Sequence, residues 1–134
     1  MKRVAVVPVE EFKTKSERCA FEIINFLIRH SMWIDTSIYV NGKRYSCYDG
    51  EHHQYDNTWD CVFREDNMDP AKYVEYNSKF LTMTFEGPFY DIVNYYFPNS
   101  KYCDKILAEF DDIIKKYNKY YELGYAWSLA LYDL

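Results

Sequence analysis

The sequence contains little glycine or proline, with four residues of each in a chain of 134. Its glycines, Gly42, Gly50, Gly87 and Gly124, lie too far apart to form the phosphate-binding loop of a Walker or dinucleotide-binding motif. The chain also lacks the G-x-S-x-G, H-E-x-x-H and paired C-x-x-C patterns that mark common hydrolase, metalloprotease and zinc sites. These absences favour a protein without catalytic activity and without a bound cofactor.

Long hydrophobic runs are missing as well. The most apolar stretch, residues 21–28, is interrupted by Glu22 and Asn25, so no segment approaches the length of a membrane span. The apolar start of the chain ends at Glu10 and Glu11, before it reaches the length of a signal-peptide core. Four widely scattered cysteines are typical of reduced thiols rather than of a disulfide framework. We therefore expect a cytoplasmic protein that does not engage a membrane.

The length of the chain falls in the usual range for one domain and allows it to bury more than half of its unfolded surface. Hydrophobic residues make up 49% of the sequence, which is enough for a core and too much for a disordered chain. No internal repeat, low-complexity tract or flexible linker divides the sequence. We predict a single globular domain over residues 1–134.

Negative charge is concentrated in the later part of the chain. Residues 1–50 carry eight Lys/Arg against six Asp/Glu, whereas residues 51–134 carry eight against fifteen. Proteins that bind nucleic acid depend on cations that neutralise phosphates, so this balance argues against direct nucleic-acid binding. It favours a protein partner with a basic surface, although a modest negative charge also serves solubility alone.

Tyrosine is unusually frequent, with 15 residues. Its large ring, polar tip and few rotatable bonds suit binding surfaces as well as the edges of a core. An alternative explanation lies in the coding sequence, because Tyr, Asn, Lys, Ile and Phe share AT-rich codons and Lys outnumbers Arg eleven to five. The tyrosines therefore support a binding function without requiring one.

The clearest local signal is the pair Asn41-Gly42 between two segments rich in β-formers. Both central residues of a two-residue type I′ turn need positive φ, which Asn and Gly tolerate best. The predicted hairpin pairs Val40 with Lys43, Ile38 with Tyr45 and Thr36 with Cys47 on one face. The more polar set occupies the other face: Ser37, Tyr39, Arg44 and Ser46. We expect the first face to point toward the core.

Helical periodicity predicts two long helices, over residues 16–30 and 100–117, and turn signals predict short ones over 70–76 and 88–96. Strands are expected at 2–9, on both sides of the turn in the hairpin segment 33–48, at 59–64 and at 79–86, while residues 125–132 fit either a central strand or a closing helix. This order predicts the α+β class, with a single mixed, mainly antiparallel sheet of about five or six strands. The two long helices and one or two short ones are expected to pack on one face of that sheet.

One segment contains the residue types that bind transition metals. Cys47, His52, His53 and Cys61 lie within fifteen residues, but their spacing matches no standard zinc motif. Adjacent histidines on an extended chain point in opposite directions, so only one readily joins the two cysteines around an ion. A cysteine nucleophile activated by histidine is a second interpretation. The alternative to both is a solvated loop flanked by buried cysteines.

A surface in the irregular middle of the chain is the remaining candidate site. Here aromatic side chains alternate with carboxylates, a combination that provides anchors and complementary charge for a basic protein surface. The same pattern also arises where aromatics cover the edge of a core and acids face water. The predicted partner-binding residues are Tyr48, Tyr55, Asp56, Trp59, Asp60, Glu65, Asp66, Asp69, Tyr73 and Tyr76.

Three functional hypotheses follow. The leading one is a protein-interaction module that engages a basic surface of its partner. In size, acidity and lack of a catalytic signature the chain is comparable with small bacterial or phage inhibitor and immunity proteins, an analogy of class that assigns no residue. The second is a binder of a small ligand, such as a nucleotide or metabolite, in an aromatic-lined pocket, and a homo-oligomer interface is one place for it. The third is a metal- or thiol-dependent enzyme built on the segment from Cys47 to Cys61.

Overall fold

The structure is a computed structural model that describes residues 2–3, 9–48, 57–97 and 99–134. These residues form one antiparallel sheet and three α-helices, which confirms the predicted α+β class. The helices are α1 (Lys15–Arg29), α2 (Pro88–Val93) and α3 (Lys101–Lys115). The strands are β1 (Lys2–Arg3), β2 (Thr36–Val40), β3 (Lys43–Ser46), β4 (Phe63–Asp66), β5 (Thr82–Phe85), β6 (Lys119–Leu123) and β7 (Ser128–Asp133). Their order across the sheet is β1-β4-β3-β2-β5-β7-β6.

The hairpin of β2 and β3 forms in the predicted register. Asn41 and Gly42 have φ of 50° and 73°, as a type I′ turn requires. Val40 opposes Lys43 and Ile38 opposes Tyr45. Because β2 also pairs with β5, and β3 with β4, this hairpin occupies the middle of the sheet.

The two long helices each begin after a residue whose side chain caps the first turn. Thr14 accepts a hydrogen bond from the Glu17 N–H at 3.2 Å, and Ser100 accepts one from the Cys103 N–H at 3.2 Å. The helices contact each other through the buried rings of Phe26, Phe89 and Phe110, and two of these rings also contact the sheet, Phe89 at Phe85 and Phe110 at Tyr121. In the described ranges, no helix has both the length and the apolar character needed to cross a bilayer.

The C-terminal region differs from its prediction. Asn118, with φ of 59°, ends the helical turn, and β6 follows at once. The sequence does not predict this strand, because Lys119–Leu123 is half exposed at the sheet edge and depends on β7 for pairing. The open choice for residues 125–132 is settled in favour of a strand, although only from Ser128 onward.

Two further predicted strands are confirmed only in part. In the segment predicted as a strand over 2–9, Lys2–Arg3 pairs with β4. Residues 4–8 lie outside the described ranges. In the segment predicted as a strand over 59–64, Trp59–Cys61 is a 3-10 helix and β4 begins at Phe63. The short helix predicted over residues 70–76 begins at Pro70 as expected, but it is a single 3-10 turn that ends at Lys72.

The sheet has two chemically different faces. Ile38, Met83 and Leu129, aligned across β2, β5 and β7, are fully buried beneath the helices. The opposite side, which we call the open face, carries Ser37, Tyr39, Arg44 and Thr84, and none of the described α-helices covers it. Strand alternation therefore leaves one broad polar and aromatic face of the sheet available for a site.

Candidate functional site

A cleft of about 310 Å³ lies on the open face. Ser37 and Thr84 of the central strands β2 and β5 line it with their hydroxyl groups. Around these polar residues stand aromatic and charged side chains from four separate parts of the chain: Asp35, Tyr39, Arg44, Tyr48, Tyr73, Glu86 and Trp127. The cleft thus combines hydrogen-bonding groups, aromatic walls and charge, which is the usual composition of a binding site.

A segment that crosses the open face between β4 and β5 forms one wall of the cleft. Asp69 starts it by accepting a hydrogen bond from the Ala71 N–H at 3.0 Å. Val74 is buried and anchors the segment to the sheet, with 2% of its surface exposed. The ring of Tyr73 stacks on Tyr39 at a centroid distance of 6.2 Å, yet Tyr73 remains 54% exposed. The wall therefore presents an aromatic ring that is fixed in position and accessible.

The turn between β6 and β7 forms the other wall. Trp127 stacks on Tyr125 with ring centroids 4.9 Å apart, and its carbonyl accepts a hydrogen bond from the Phe85 N–H at 2.8 Å. The Tyr125 hydroxyl donates to Glu75 of the crossing segment. Gly124 allows Tyr76 of the same segment to pack against the turn, since an added Cβ would lie 2.5 Å from the Cβ of Tyr76. The two walls are therefore joined by a hydrogen bond and by close packing.

Two carboxylates mark one end of the cleft. Asp35 precedes β2 and Glu86 follows β5, and the Glu86 N–H donates to the Asp35 carbonyl at 3.0 Å. The Asp35 N–H donates to the Cys47 sulfur at 3.0 Å, which brings Tyr48 to the same end. Gly87 allows this closure, because a Cβ there would lie 2.3 Å from the Ile34 carbonyl oxygen. We call Asp35 and Glu86, with Tyr48 and Trp127, the acidic end.

The opposite end contains an ion pair between Arg44 of β3 and Glu65 of β4, which are direct cross-strand partners. Arg44 also faces Tyr39 across the hairpin. Since Tyr39 lies four residues beyond Asp35 on an extended strand, Arg44 is separated from the acidic end by about 13 Å. Glu65 compensates the charge of Arg44, and the Arg44 Nε is buried without a hydrogen-bond partner among the described residues. Both carboxylates that line the cleft, Asp35 and Glu86, therefore lie at the end away from Arg44.

Comparison with known protein families, with curated protein sequences and with solved structures finds no match to this chain. The functional interpretation therefore depends on the geometry of the site.

The fold places some of the predicted partner-binding residues at the cleft and others away from it. Tyr48 and Tyr73 line the cleft, and Glu65 pairs with Arg44 at its far end. Tyr76 packs edge-on against Tyr125 at 5.3 Å, just outside the cleft, and is half exposed. The remaining acidic residues of the set, Asp60, Asp66 and Asp69, are exposed.

Trp59 lies apart from this group. Its ring stacks on Phe21 of α1 with centroids 5.7 Å apart, so it contributes to packing around the helix. Tyr55 and Asp56 lie outside the described residues. The cleft consequently contains only part of the predicted set, and the role of these residues in partner binding stays a prediction.

The cleft residues that the predicted site did not contain include two carboxylates and two large aromatic side chains: Asp35, Glu86, Tyr39 and Trp127. Of these four, only Tyr39 could be placed from the sequence. The hairpin register assigned its ring to the outward face, together with polar side chains. Trp127 comes from the C-terminal hairpin, and only the pairing of β5 with β7 brings it beside Glu86.

The two cysteines proposed as metal ligands or nucleophile are neighbours in the fold. The Cys61 thiol donates to the Cys47 carbonyl oxygen at 3.3 Å, and both residues are buried. Burial raises the pKa of the Cys47 thiol. Within the described ranges no group of three or more His, Cys, Asp or Glu is placed to hold a metal ion, and His52 and His53 lie outside those ranges.

We expect the native protein to resist thiol alkylation. All four cysteines are free and buried, and a thiol with a raised pKa supplies little thiolate at neutral pH. Iodoacetamide treatment followed by mass spectrometry should therefore add no label to the folded protein and four labels after unfolding in urea. Rapid single labelling of Cys47 or Cys61 in the folded protein would instead support the thiol-dependent enzyme.

Proposed function

We propose that this protein is an interaction module that binds a basic surface of a protein partner through the open face of its sheet. The observation that carries the proposal is the set of tyrosines around the cleft that remain accessible although the fold holds them in place. Fixed aromatic side chains provide large contact areas at low entropic cost, and they are enriched among residues that dominate binding energy. Tyr48, Tyr73 and Tyr76 are the anchors we assign.

Charge supports a basic partner. Glu75 and Glu86 are exposed around the open face, in a chain whose net charge is −5. Carboxylates placed around aromatic anchors accelerate association with a positive surface and disfavour acidic partners. A module of this kind suits an inhibitor that occupies a basic, nucleic-acid-binding surface of its target. Four free thiols are typical of a reducing compartment, so we place this activity in the cytoplasm.

Affinity capture from an extract of the source organism tests the proposal with a matched pair of variants. Tyr73→Ala removes an anchor on the open face, whereas Tyr102→Ala removes an equally exposed tyrosine from α3, on the helical side. Loss of a central aromatic anchor costs about 2 kcal/mol or more, so Tyr73→Ala should weaken partner binding by about 30-fold. Tyr102→Ala should bind like the wild type, and binding should weaken as salt rises.

The proposal fails if both variants bind the captured partner equally well. It also fails if the affinity for that partner does not change between low and high salt, since charge complementarity then contributes nothing. Circular dichroism of both variants should match the wild type, because both side chains are more than half exposed.

A small ligand in the cleft is the second candidate, and the cleft volume favours it. At about 310 Å³ the cleft reaches the lower limit of typical ligand sites. A nucleotide or metabolite that binds only the folded state should raise the melting temperature in a thermal-shift screen. A stabilising compound that does so in wild type and Tyr102→Ala, but not in Tyr73→Ala, would support this function over the protein partner.

A further inference from the structure

Strand β6 lies at one edge of the sheet, and none of the described strands pairs with its outer side. Natural sheet edges are usually protected by a proline, a bulge or an outward lysine. β6 contains no proline, and its register with β7 is regular over all five residues. Its one lysine, Lys119, pairs with Asp133 of β7 and lies 4.3 Å from the centre of the Phe80 ring. The lysine therefore contacts its own molecule and leaves the edge unprotected.

Two hydrogen bonds on either side of this strand fix the direction of its backbone groups. The Gly124 N–H donates to the Ser128 carbonyl at 3.1 Å, and the Leu134 N–H donates to the Asn118 carbonyl at 3.0 Å. Hydrogen-bonded and non-hydrogen-bonded pairs alternate along an antiparallel ladder, so the even-numbered residues of β6 bond to β7. The odd-numbered residues direct their N–H and C=O groups outward: Lys119, Tyr121 and Leu123.

We propose that β6 pairs with β6 of a second copy of this chain, antiparallel about a two-fold axis at Tyr121. This register sets Tyr121 opposite Tyr121 of the second copy and Lys119 opposite Leu123 of the second copy. All outward backbone groups of the strand are then paired, in about six hydrogen bonds. The same surface serves both copies, as an interface around a two-fold axis requires.

The side chains of β6 are complementary to themselves in this register. Tyr120 stands opposite Glu122 of the second copy, and symmetry repeats the pair. The Tyr120 hydroxyl already donates to Glu122 of its own strand at 3.2 Å, so a donor and an acceptor lie side by side at the edge. A shift of two residues toward the C-terminus would instead oppose two Glu122 carboxylates, which destabilises a strand pair. This complementarity favours a second copy as the occupant of the edge.

The pairing has a consequence for the open face. Residues that oppose each other in it are both odd-numbered or both even-numbered, so they lie on the same side of the sheet. The two sheets therefore join with both open faces on one side, where two clefts can engage a partner together and gain affinity by avidity. The dimer itself does not depend on the proposed function. Strand pairing buries less area than a standard interface, so we expect a dissociation constant of about 10–100 μM.

Sedimentation equilibrium and quenched hydrogen exchange on the full chain test the inference. The protein should be monomeric at about 1 μM and mainly dimeric at about 1 mM. The Tyr121 and Leu123 amides should exchange about five- to fifteenfold more slowly at the higher concentration, since they are paired only in the dimer. The Tyr120 and Glu122 amides donate to β7 and should be protected equally at both concentrations.

Leu123→Pro and Leu123→Ala are a matched pair of variants. Proline removes an N–H that points outward, and edge strands tolerate proline where the N–H is not used within the sheet. It should weaken the dimer by about tenfold or more, because two symmetric hydrogen bonds are lost. Leu123→Ala keeps the N–H and should dimerise within about threefold of the wild type, because Leu123 is still 42% exposed in the monomer. Circular dichroism checks that both variants fold.

A wild-type chain that stays monomeric at about 1 mM would overturn the inference. So would a dimer in which the Tyr121 and Leu123 amides exchange as fast as in the monomer, a result that needs no variant. A folded Leu123→Pro protein that dimerises like the wild type would also contradict it. Protection of these amides only by an extended segment of another protein would replace the second copy as the occupant. Tyr73→Ala should dimerise normally, so the dimer and the proposed function fail separately.

Discussion

Phe110→Ala is expected to destabilise the protein by about 3–5 kcal/mol. Phe110 is fully buried in the middle of α3, and its ring meets Phe89 of α2 at 5.3 Å, Tyr121 of β6 at 5.5 Å and Phe26 of α1 at 5.9 Å. Truncation of this side chain leaves a cavity that the three surrounding elements cannot fill by moving inward. Domains of this size have about 5–15 kcal/mol of total stability, so the loss is a large share of it.

Urea unfolding followed by circular dichroism measures this change. Phe110→Leu keeps most of the volume and should show an intermediate loss. Tyr102→Ala, on the exposed side of the same helix, should change the free energy of unfolding by less than about 0.5 kcal/mol. A Phe110→Ala protein with nearly wild-type stability would show that the three helices do not share the core described here.

Glu17→Gln is expected to lower the free energy of unfolding at neutral pH. It should also make that free energy less dependent on pH in the acidic range. Glu17 is a nearly buried carboxylate in the first turn of α1, and it accepts hydrogen bonds from Asn41 at 2.8 Å and Lys43 at 3.0 Å. It therefore attaches the tip of the central hairpin to the helix. Loss of a hydrogen bond to a charged group costs about 1.5–3 kcal/mol, and the partly exposed Lys43 places the expected loss near the lower limit.

The pH dependence follows from the pKa of Glu17. Burial by itself would raise this pKa, but the hydrogen bonds from Asn41 and Lys43 and the positive charges of Lys43 and Arg64 outweigh burial and lower it. The unfolded chain therefore binds the proton more tightly than the folded one. The contribution of Glu17 is complete above its unfolded pKa of about 4.3 and disappears as the pH falls through the lower folded pKa.

Unfolding measured between pH 7 and pH 3 checks this expectation. The difference between wild type and Glu17→Gln should shrink toward zero at the acidic end of the series. Glu11→Gln replaces an exposed carboxylate in the preceding 3-10 helix and should follow the wild type throughout. Parallel pH curves for wild type and Glu17→Gln would contradict the assigned role.

Local sequence signals predicted the hairpin and the helix starts well, because their causes lie within a few residues. Asn41 and Gly42 accept positive φ, and Ser100 satisfies a backbone donor of the turn that follows it. β6 was missed for the opposite reason. Its five residues have no strong alternation, and their strand conformation depends on hydrogen bonds to β7.

The site was predicted in part. Proximity in sequence placed Tyr48 and Tyr73 in the candidate surface, and both line the cleft. The same reasoning included Trp59, which the fold packs against Phe21 instead. Asp35, Glu86 and Trp127 could not be included, because they are remote in sequence and meet only where three strands end together.

The sequence by itself determined the α+β class, the inward stripes of both long helices and the polar outward face of the central hairpin. These features depend on periodicity, turn chemistry and caps, all of which act over a few residues. Only the tertiary structure decided which side chains share the cleft. The order of strands brings together residues separated by up to 92 positions, from Asp35 to Trp127, and no local pattern encodes that pairing.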